Sequence, residues 1–364
     1  MMDSRDKGTG GERRVRQRAR RQGRTMAPTL TDVARLADVS TATVSRVLNN
    51  SGQVSEDRKR AVEEAIEALG YVPNSAARSL VSQRYNTIGA IVPTLENATF
   101  ARLVEAFQKR VSASGAAMMV ASSAYDPEVE LKHGRKLLES GVDGIMLIGS
   151  VHNPKLDQLL REHGVAVVSC LVLDQERDTA SVGFDNATAA AMAADYLMDL
   201  GHRRIGLIAG MIRMNDRAEQ RVRGIQAALQ RRGVPFAAEY LLERPYRIEE
   251  GGVGFQYLMG LDLPPTAIIC GNDVLAFGAL IQARRSGLDV PGDVSIIGFD
   301  DQAFAAHLTP SLTTLHVPAE EIGIQAADYI LTTVAGGTAP HIVPVAVNLV
   351  VRQSTGRPKP PQGQ

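Results

Sequence analysis

Between Val39 and Asn50 the chain reads VSTATVSRVLNN, placing six Ser, Thr and Asn side chains around one charged residue, Arg46. Val44, Val47 and Leu48 fall at i, i+3 and i+4, the spacing of a single helical face. The other face then carries hydroxyls, amides and a guanidinium, groups that bond phosphates and the edges of base pairs. Their slimness matters too, because a helix entering the major groove must approach DNA closely with its first turns. A solvated helix on a small bundle would account for the apolar edge. It would not account for the near-absence of Glu and Lys, which usually dress such faces.

A second set of chemistry-bearing residues stands at the ends of apolar runs. Asn272 and Asp273 follow TAIIC, Asp300 and Asp301 follow VSIIGF, and Ser150 follows GIMLIG. If those runs are parallel strands, these residues emerge at carboxyl ends, where open α/β sheets bind ligands. Asp273 and Asp301 read more naturally as turn or cap residues. The enzyme alternative finds no motif: the chain has no G-x-S-x-G, no G-x-x-x-x-G-K-[ST], no G-x-G-x-x-G opening a helix, and no His/Cys metal cluster. No cofactor is implied. Cys170 and Cys270 each end an apolar run and read as buried thiols, not as a disulfide.

The elements that must position these groups fall into two kinds. Around the opening stretch, Thr29 or Thr31 can cap a first helix with an apolar edge of Leu30, Val33, Ala34 and Ala37. Asp38 lies in the turn, where a left-handed backbone is expected, and Ser40 caps the second helix. A third helix starts after Ser55, repeats Val62, Ile66 and Leu69, and stops at Gly70. From Thr87 onward, strand-like runs (87–93, 116–123, 144–150, 165–172, 180–184, 204–210, 266–272, 294–300 and 341–351) alternate with helical stretches such as 101–114, 187–200, 219–232 and 274–286. Short apolar strands between helices argue for parallel sheets covered on both faces, and so long a region argues for two α/β lobes.

Charge is balanced overall but unevenly spread. Residues 1–25 carry nine Lys/Arg against three acidic groups, a net of +6 that leaves the remainder at −6. This basic tail has no apolar periodicity; it is either a disordered arm adding phosphate contacts or an over-extended start upstream of Met26. No apolar run is long enough to span a membrane and no secretory signal is evident, so the cytoplasm is the expected compartment.

The stretches TLTDVARLADVSTATVSRVLNN and VSEDRKRAVEEAIEALGYVPNSAARSL resemble the bacterial repressors of the lactose/galactose/purine type, and the similarity runs from Ala27 to about Thr355. Two details depart from it: Asp38 stands where Gly or Asn is commoner, and residues 27–81 sum to six positive against seven negative charges. DNA attraction must therefore come from local placement. The resemblance implies an N-terminal all-α helix-turn-helix (lambda-repressor-like) domain followed by an α/β periplasmic-binding-protein-like two-lobe effector domain. It implies a disordered tail over 1–26, the helix-turn-helix over 27–73, a hinge helix and linker over 74–85, and a ligand-sensing, dimerising domain over 86–355. That domain divides into a lobe of about 86–184 plus 319–346 and a lobe of about 185–315 plus 347–355, with a disordered tail over 356–364.

By the same resemblance Thr41, Ala42 and Arg46 face base edges, Ser40, Thr43 and Ser45 lie at phosphates, and Asn49 belongs to the DNA-facing set. Asn74, Ala77 and Leu80 belong to the hinge helix, with Leu80 the wedge that bends the duplex. The stretch is also too short for a stable isolated helix, so it is expected to order only with partners. Arg221, in an Arg-x-x-Gly pattern, with Asn272 and Asp300 would supply the main polar ligand contacts, alongside Ser150. Phe100, Phe184 and Tyr246 would wall the site, a set suited to a small polyol. Arg217 means either an acidic ligand or a surface charge. The expected partners are double-stranded operator DNA, a sugar-like effector and a second copy of the chain. The expected function is a ligand-responsive repressor of a carbohydrate-utilisation or related operon. A transport-type binding protein would need an export signal and would not carry the first eighty or so residues.

Overall fold

The computed structural model describes residues 27–48, 52–72, 84–175 and 178–360. The chain divides near Arg84 into two compact units.

The first unit holds three helices: α1 (Leu30–Leu36), α2 (Thr41–Leu48) and α3 (Glu56–Leu69). Thr29 opens α1 with a capping box, its N–H and hydroxyl both donating to Asp32 Oδ2, at 3.0 and 2.7 Å. Asp38 adopts φ 51° in the turn, and Gly70 ends α3 at φ 59°. Ser55 precedes α3 as expected, but its side chain makes no capping bond. Val33, Ala34, Val44, Val62 and Ala65 form the small core.

The second unit is built on two parallel sheets. The larger has strand order β11-β5-β4-β3-β1-β2, with β1 (Thr87–Val92), β2 (Ala117–Ser122), β3 (Gly144–Ile148), β4 (Ala166–Cys170), β5 (Ala180–Gly183) and β11 (Ile342–Pro344). Its helices are α4 (Ala98–Ala113), α5 (Pro127–Ser140), α6 (Pro154–Glu162) and α11 (Ala319–Val334), the last packed against α4. The smaller sheet has order β7-β6-β8-β9, with β6 (Ile205–Ala209), β7 (Leu241–Glu243), β8 (Ala267–Cys270) and β9 (Ser295–Ile297). It is flanked by the paired helices α7 (Asn186–Asp199) and α8 (Asp216–Arg231), and by the pair α9 (Ile248–Met259) and α10 (Asp273–Arg285). An antiparallel pair, β10 (Thr314–His316) with β12 (Asn348–Val350), completes this lobe beside β9.

Two expectations need correcting. The single strand read over 341–351 is two strands, β11 in one lobe and β12 in the other, because 345–347 is a crossing between lobes. Residues 356–360, expected to be part of a disordered tail, are packed: Gly356 O accepts from His202 Nε2 at 2.9 Å, and Lys359 Nζ reaches Asp293 at 2.5 Å. Both cysteines are buried and free, as read from their apolar runs, and burial pushes both thiols up. No described helix is long and apolar enough to cross a membrane.

Candidate functional site

On the first unit, α2 turns Val44 fully inward and leaves Ser40, Thr41, Ala42 and Arg46 exposed, with Thr43 and Ser45 half-buried. Ser40 Oγ accepts from Thr43 N at 3.1 Å, so the residue that caps the helix also stands at the start of its exposed strip. The exposed strip therefore consists of small side chains and one long guanidinium. Asn49, Asn74, Ala77 and Leu80 lie outside the described residues.

The second unit has its cleft where the carboxyl ends of the two sheets converge. A small cavity there is lined by Phe100, Arg221, Tyr246, Asn272 and Asp300. Asn97, Thr99, Tyr125, Asn215 and Arg217 complete its polar and aromatic wall.

Arg221 reaches the cleft because of a glycine one turn later. A Cβ on Gly224 would lie 2.1 Å from Ala187 O, so only glycine lets α8 press against the first turn of α7. That contact brings Arg221 Nε to Asn186 Oδ1 at 2.9 Å and Nη1 to Gly271 O at 3.0 Å, with its guanidinium carbon 3.6 Å above the Phe299 ring. Fixed on three sides, the guanidinium bonds neutral oxygens of Asn186 and Gly271, and its charge acts on Asp300.

Asp300 is 4 % exposed and has φ 116°, a backbone cost that gathers at ligand sites. Burial pushes its carboxyl up to about 6, with Arg221 pulling the other way. Asn272 caps α10 through Oδ1, which accepts from Leu275 N at 3.0 Å, while its Nδ2 has no partner. Thr99 Oγ1 is likewise buried, and it acts as a donor beside the Asp300 carboxylate, favouring its ionised form. An orphaned amide on the wall of the cavity is a position where a ligand's hydroxyl would complete the bonding.

Two expected residues sit elsewhere. Ser150 does not line the cavity; its N–H and hydroxyl donate to Asp216 Oδ2 at 2.7 and 2.9 Å. Phe184 is behind the site, its ring 6.2 Å from that of Phe299, so it supports Arg221 from below. Arg217 is no surface charge: it is 6 % exposed, pairs with Asp216 at 3.0 Å and borders the cavity. Asp273 and Asp301 serve the framework. Asp273 accepts from Thr314 Oγ1 at 2.5 Å and Gln302 N at 2.7 Å, and burial, with Asp300 nearby, raises its carboxyl to about 8. Asp301 holds Arg352 at 2.7 Å and His316 at 3.0 Å. No group of three or more His, Cys, Asp or Glu among the described residues is placed to hold a metal ion.

The profile of bacterial regulatory proteins of the lacI family matches residues 29–74, and that of a periplasmic binding protein-like domain matches residues 194–355. Over 334 residues the chain is 34 % identical to the HTH-type transcriptional repressor CytR of Escherichia coli (strain K12), covering 90 % of this chain and 96 % of the relative. The chain belongs to the LacI family. The NTD biosynthesis operon regulator NtdR of Bacillus subtilis (strain 168) is 32 % identical, covering 90 % of this chain and all of that one. Among solved structures, the lac repressor dimer bound to operator and the anti-inducer ONPF superposes with a TM-score of 0.81 at 27 % identity, covering 90 % of this chain and 99 % of that one. As a LacI-family member the chain is a DNA-binding transcriptional regulator with a ligand-responsive second domain.

Proposed function

We propose that the chain works as a cytoplasmic, non-enzymatic repressor of a carbohydrate-utilisation or related metabolic operon, binding a near-palindromic operator as a homodimer. The observation that carries this reading is the exposed strip of Thr41, Ala42 and Arg46 on a helix anchored by buried Val44. Thr41 and Ala42 permit close approach to a groove, and Arg46 is the long donor that reads guanine. Dimerisation is supported by β2, an edge strand whose Met119 and Val120 are each 41 % exposed, and by the dimeric state of the lac repressor in its operator complex.

The effector site is the cleft. Asp300, Arg221 and Asn272 provide a carboxylate, a guanidinium and an unpaired amide around one cavity, a set that recognises hydroxyls. A ligand that contacts both lobes favours one lobe arrangement over another, which is the differential affinity that control of DNA binding requires. Retardation of a palindromic fragment from the gene's own upstream region tests the DNA role. Asp300→Ala tests the cleft: that variant should retard the fragment normally yet lose all response to the effector found by a thermal-shift screen of sugars, sugar acids and nucleobases. Failure of the wild-type chain to prefer the fragment over random DNA would remove the repressor reading.

A further inference from the structure

We propose that Tyr125 is a specificity-determining residue of the cleft, clamping with Tyr246 a flat aromatic ring carried by a hydroxylated effector. The inference rests on the reading of the cleft as the effector site and goes on to name the class of molecule it selects.

Tyr125 comes from the loop after β2, in the first lobe, and Tyr246 from the loop after β7, in the second. Their ring centroids are 6.4 Å apart with the planes inclined at 31°. Both rings line the same cavity as Asp300 and Asn272. The pair is therefore a contact between lobes that a ligand must enter.

The backbone holds Tyr125 there at a cost. Ala124 and Tyr125 have φ of 53° and 60°, consecutive left-handed residues without a glycine. Each such residue costs about 1–2 kcal/mol, and strain of this kind concentrates at ligand clamps. The turn is tied at its base, where Asp126 N donates to Ser123 O at 2.9 Å and Asp126 Oδ1 caps α5 by accepting from Glu128 N at 2.8 Å. Opposite, Tyr246 occupies space that a side chain at 210 would fill: a Cβ on Gly210 would lie 1.9 Å from the ring. Asn215 Nδ2 donates to the Tyr246 hydroxyl at 3.4 Å. Each ring is thus set from its own lobe.

The cavity consequently has two poles. One consists of Asp300, Arg221, Thr99 and the unpaired Asn272 Nδ2, which suit hydroxyl groups. The other is the tyrosine pair. A planar ring stacked on both faces needs about 7 Å between its neighbours, twice an ordinary carbon contact, so a slight parting of the lobes admits one. A bare polyol would satisfy the polar pole but cover the two rings less fully than a flat aromatic group does. A sugar ring bearing an aromatic substituent, as in nucleosides or aryl glycosides, satisfies both.

The test is isothermal titration of the full chain with matched pairs: phenyl against methyl glycosides of glucose, galactose and ribose, and adenosine, cytidine and uridine against free ribose. The expected result is that in at least one series the aromatic member binds about tenfold or more tighter than its partner. Tyr125→Phe should keep that preference. Tyr125→Ala should bring the pair to parity while still binding the non-aromatic member, an outcome a misfolded variant could not give. The nucleoside and aryl-glycoside arms separate the two sources of the ring. Absence of aromatic preference in every series, or its survival in Tyr125→Ala, overturns the proposal. Asp300→Ala in the same titrations reports on the cleft itself. If it abolishes binding of both members of a pair that shows no aromatic preference, the clamp alone falls; if it leaves binding intact, the cleft assignment falls with it.

Discussion

The backbone N–H of Ser150 points across the cleft to Asp216 Oδ2 at 2.7 Å, and the Ser150 hydroxyl joins it at 2.9 Å. Ser150 follows β3 in one lobe and Asp216 begins α8 in the other, so a single carboxylate oxygen fastens the lobes together away from the chain crossings. Its second oxygen holds Arg217 at 3.0 Å. Burial alone would raise the Asp216 carboxyl, but Arg217 and the two Ser150 donors outweigh it and hold the group below the usual carboxylate range.

Removing that carboxylate leaves a buried guanidinium without its counter-charge. Asp216→Ala should destabilise the second unit by about 3 kcal/mol in urea unfolding, and the double variant Asp216→Ala/Arg217→Ala should recover part of the loss. Additive losses in the double-mutant cycle would mean the two side chains act independently.

Asp300 makes effector binding depend on pH. A carboxyl raised to about 6 accepts charge-assisted hydroxyl hydrogen bonds on both oxygens only when ionised. At about one pH unit below that value only about a tenth of it is ionised, so effector affinity should fall about tenfold between pH ~8 and pH ~5. The stability effect has the opposite sign. An unfolded Asp titrates near ~3.9, so the folded group holds its proton more tightly, and ionising it costs about 3 kcal/mol, a cost absent below pH ~4 and complete above pH ~6. Asp300→Asn should raise the melting temperature at neutral pH, do little near pH ~4, and flatten the pH profile of any residual binding. Calorimetry across that range measures both.

Arg46→Ala should weaken specific operator binding by about 1–3 kcal/mol, the worth of one bidentate base contact, and leave most random-sequence binding in place. Equal losses on operator and random DNA, measured by anisotropy at fixed salt, would reassign Arg46 to the phosphates.

Gly224→Ala tests the packing that aims Arg221. The added methyl meets Ala187 O, which cannot move without its helix, so a destabilisation of about 1–3 kcal/mol is expected together with a loss of effector affinity. Stability loss with unchanged affinity would show that Arg221 does not need this contact.

The helices of the first unit were legible because their signals are local: Asp38 in the turn, Ser40 at the cap, Gly70 at the stop. The strands of the second unit were legible for the same reason, and the rule that ligands meet the carboxyl ends of strands led to Asn272 and Asp300. That rule gives a residue's place along a strand and not its neighbours. Ser150 meets a partner 66 positions away, and Phe184 stacks on Phe299 beneath the site. The 341–351 run is apolar apart from His341 and Asn348, and only the tertiary fold decides that its halves join different sheets. Tyr125 gave no signal, since its left-handed loop contains no glycine to announce it.

The carboxyl-terminal stretch is woven into the second lobe: Ser354 Oγ accepts from Thr313 N at 2.9 Å and donates to Ile296 O at 2.6 Å, and Gly356 N donates to Ser295 Oγ at 3.0 Å. For anyone converting this regulator into a biosensor, the splice point matters. A fluorescent partner grafted upstream of Ser354 would unravel the seam behind β9, whereas one attached after Pro360 leaves the seam sewn.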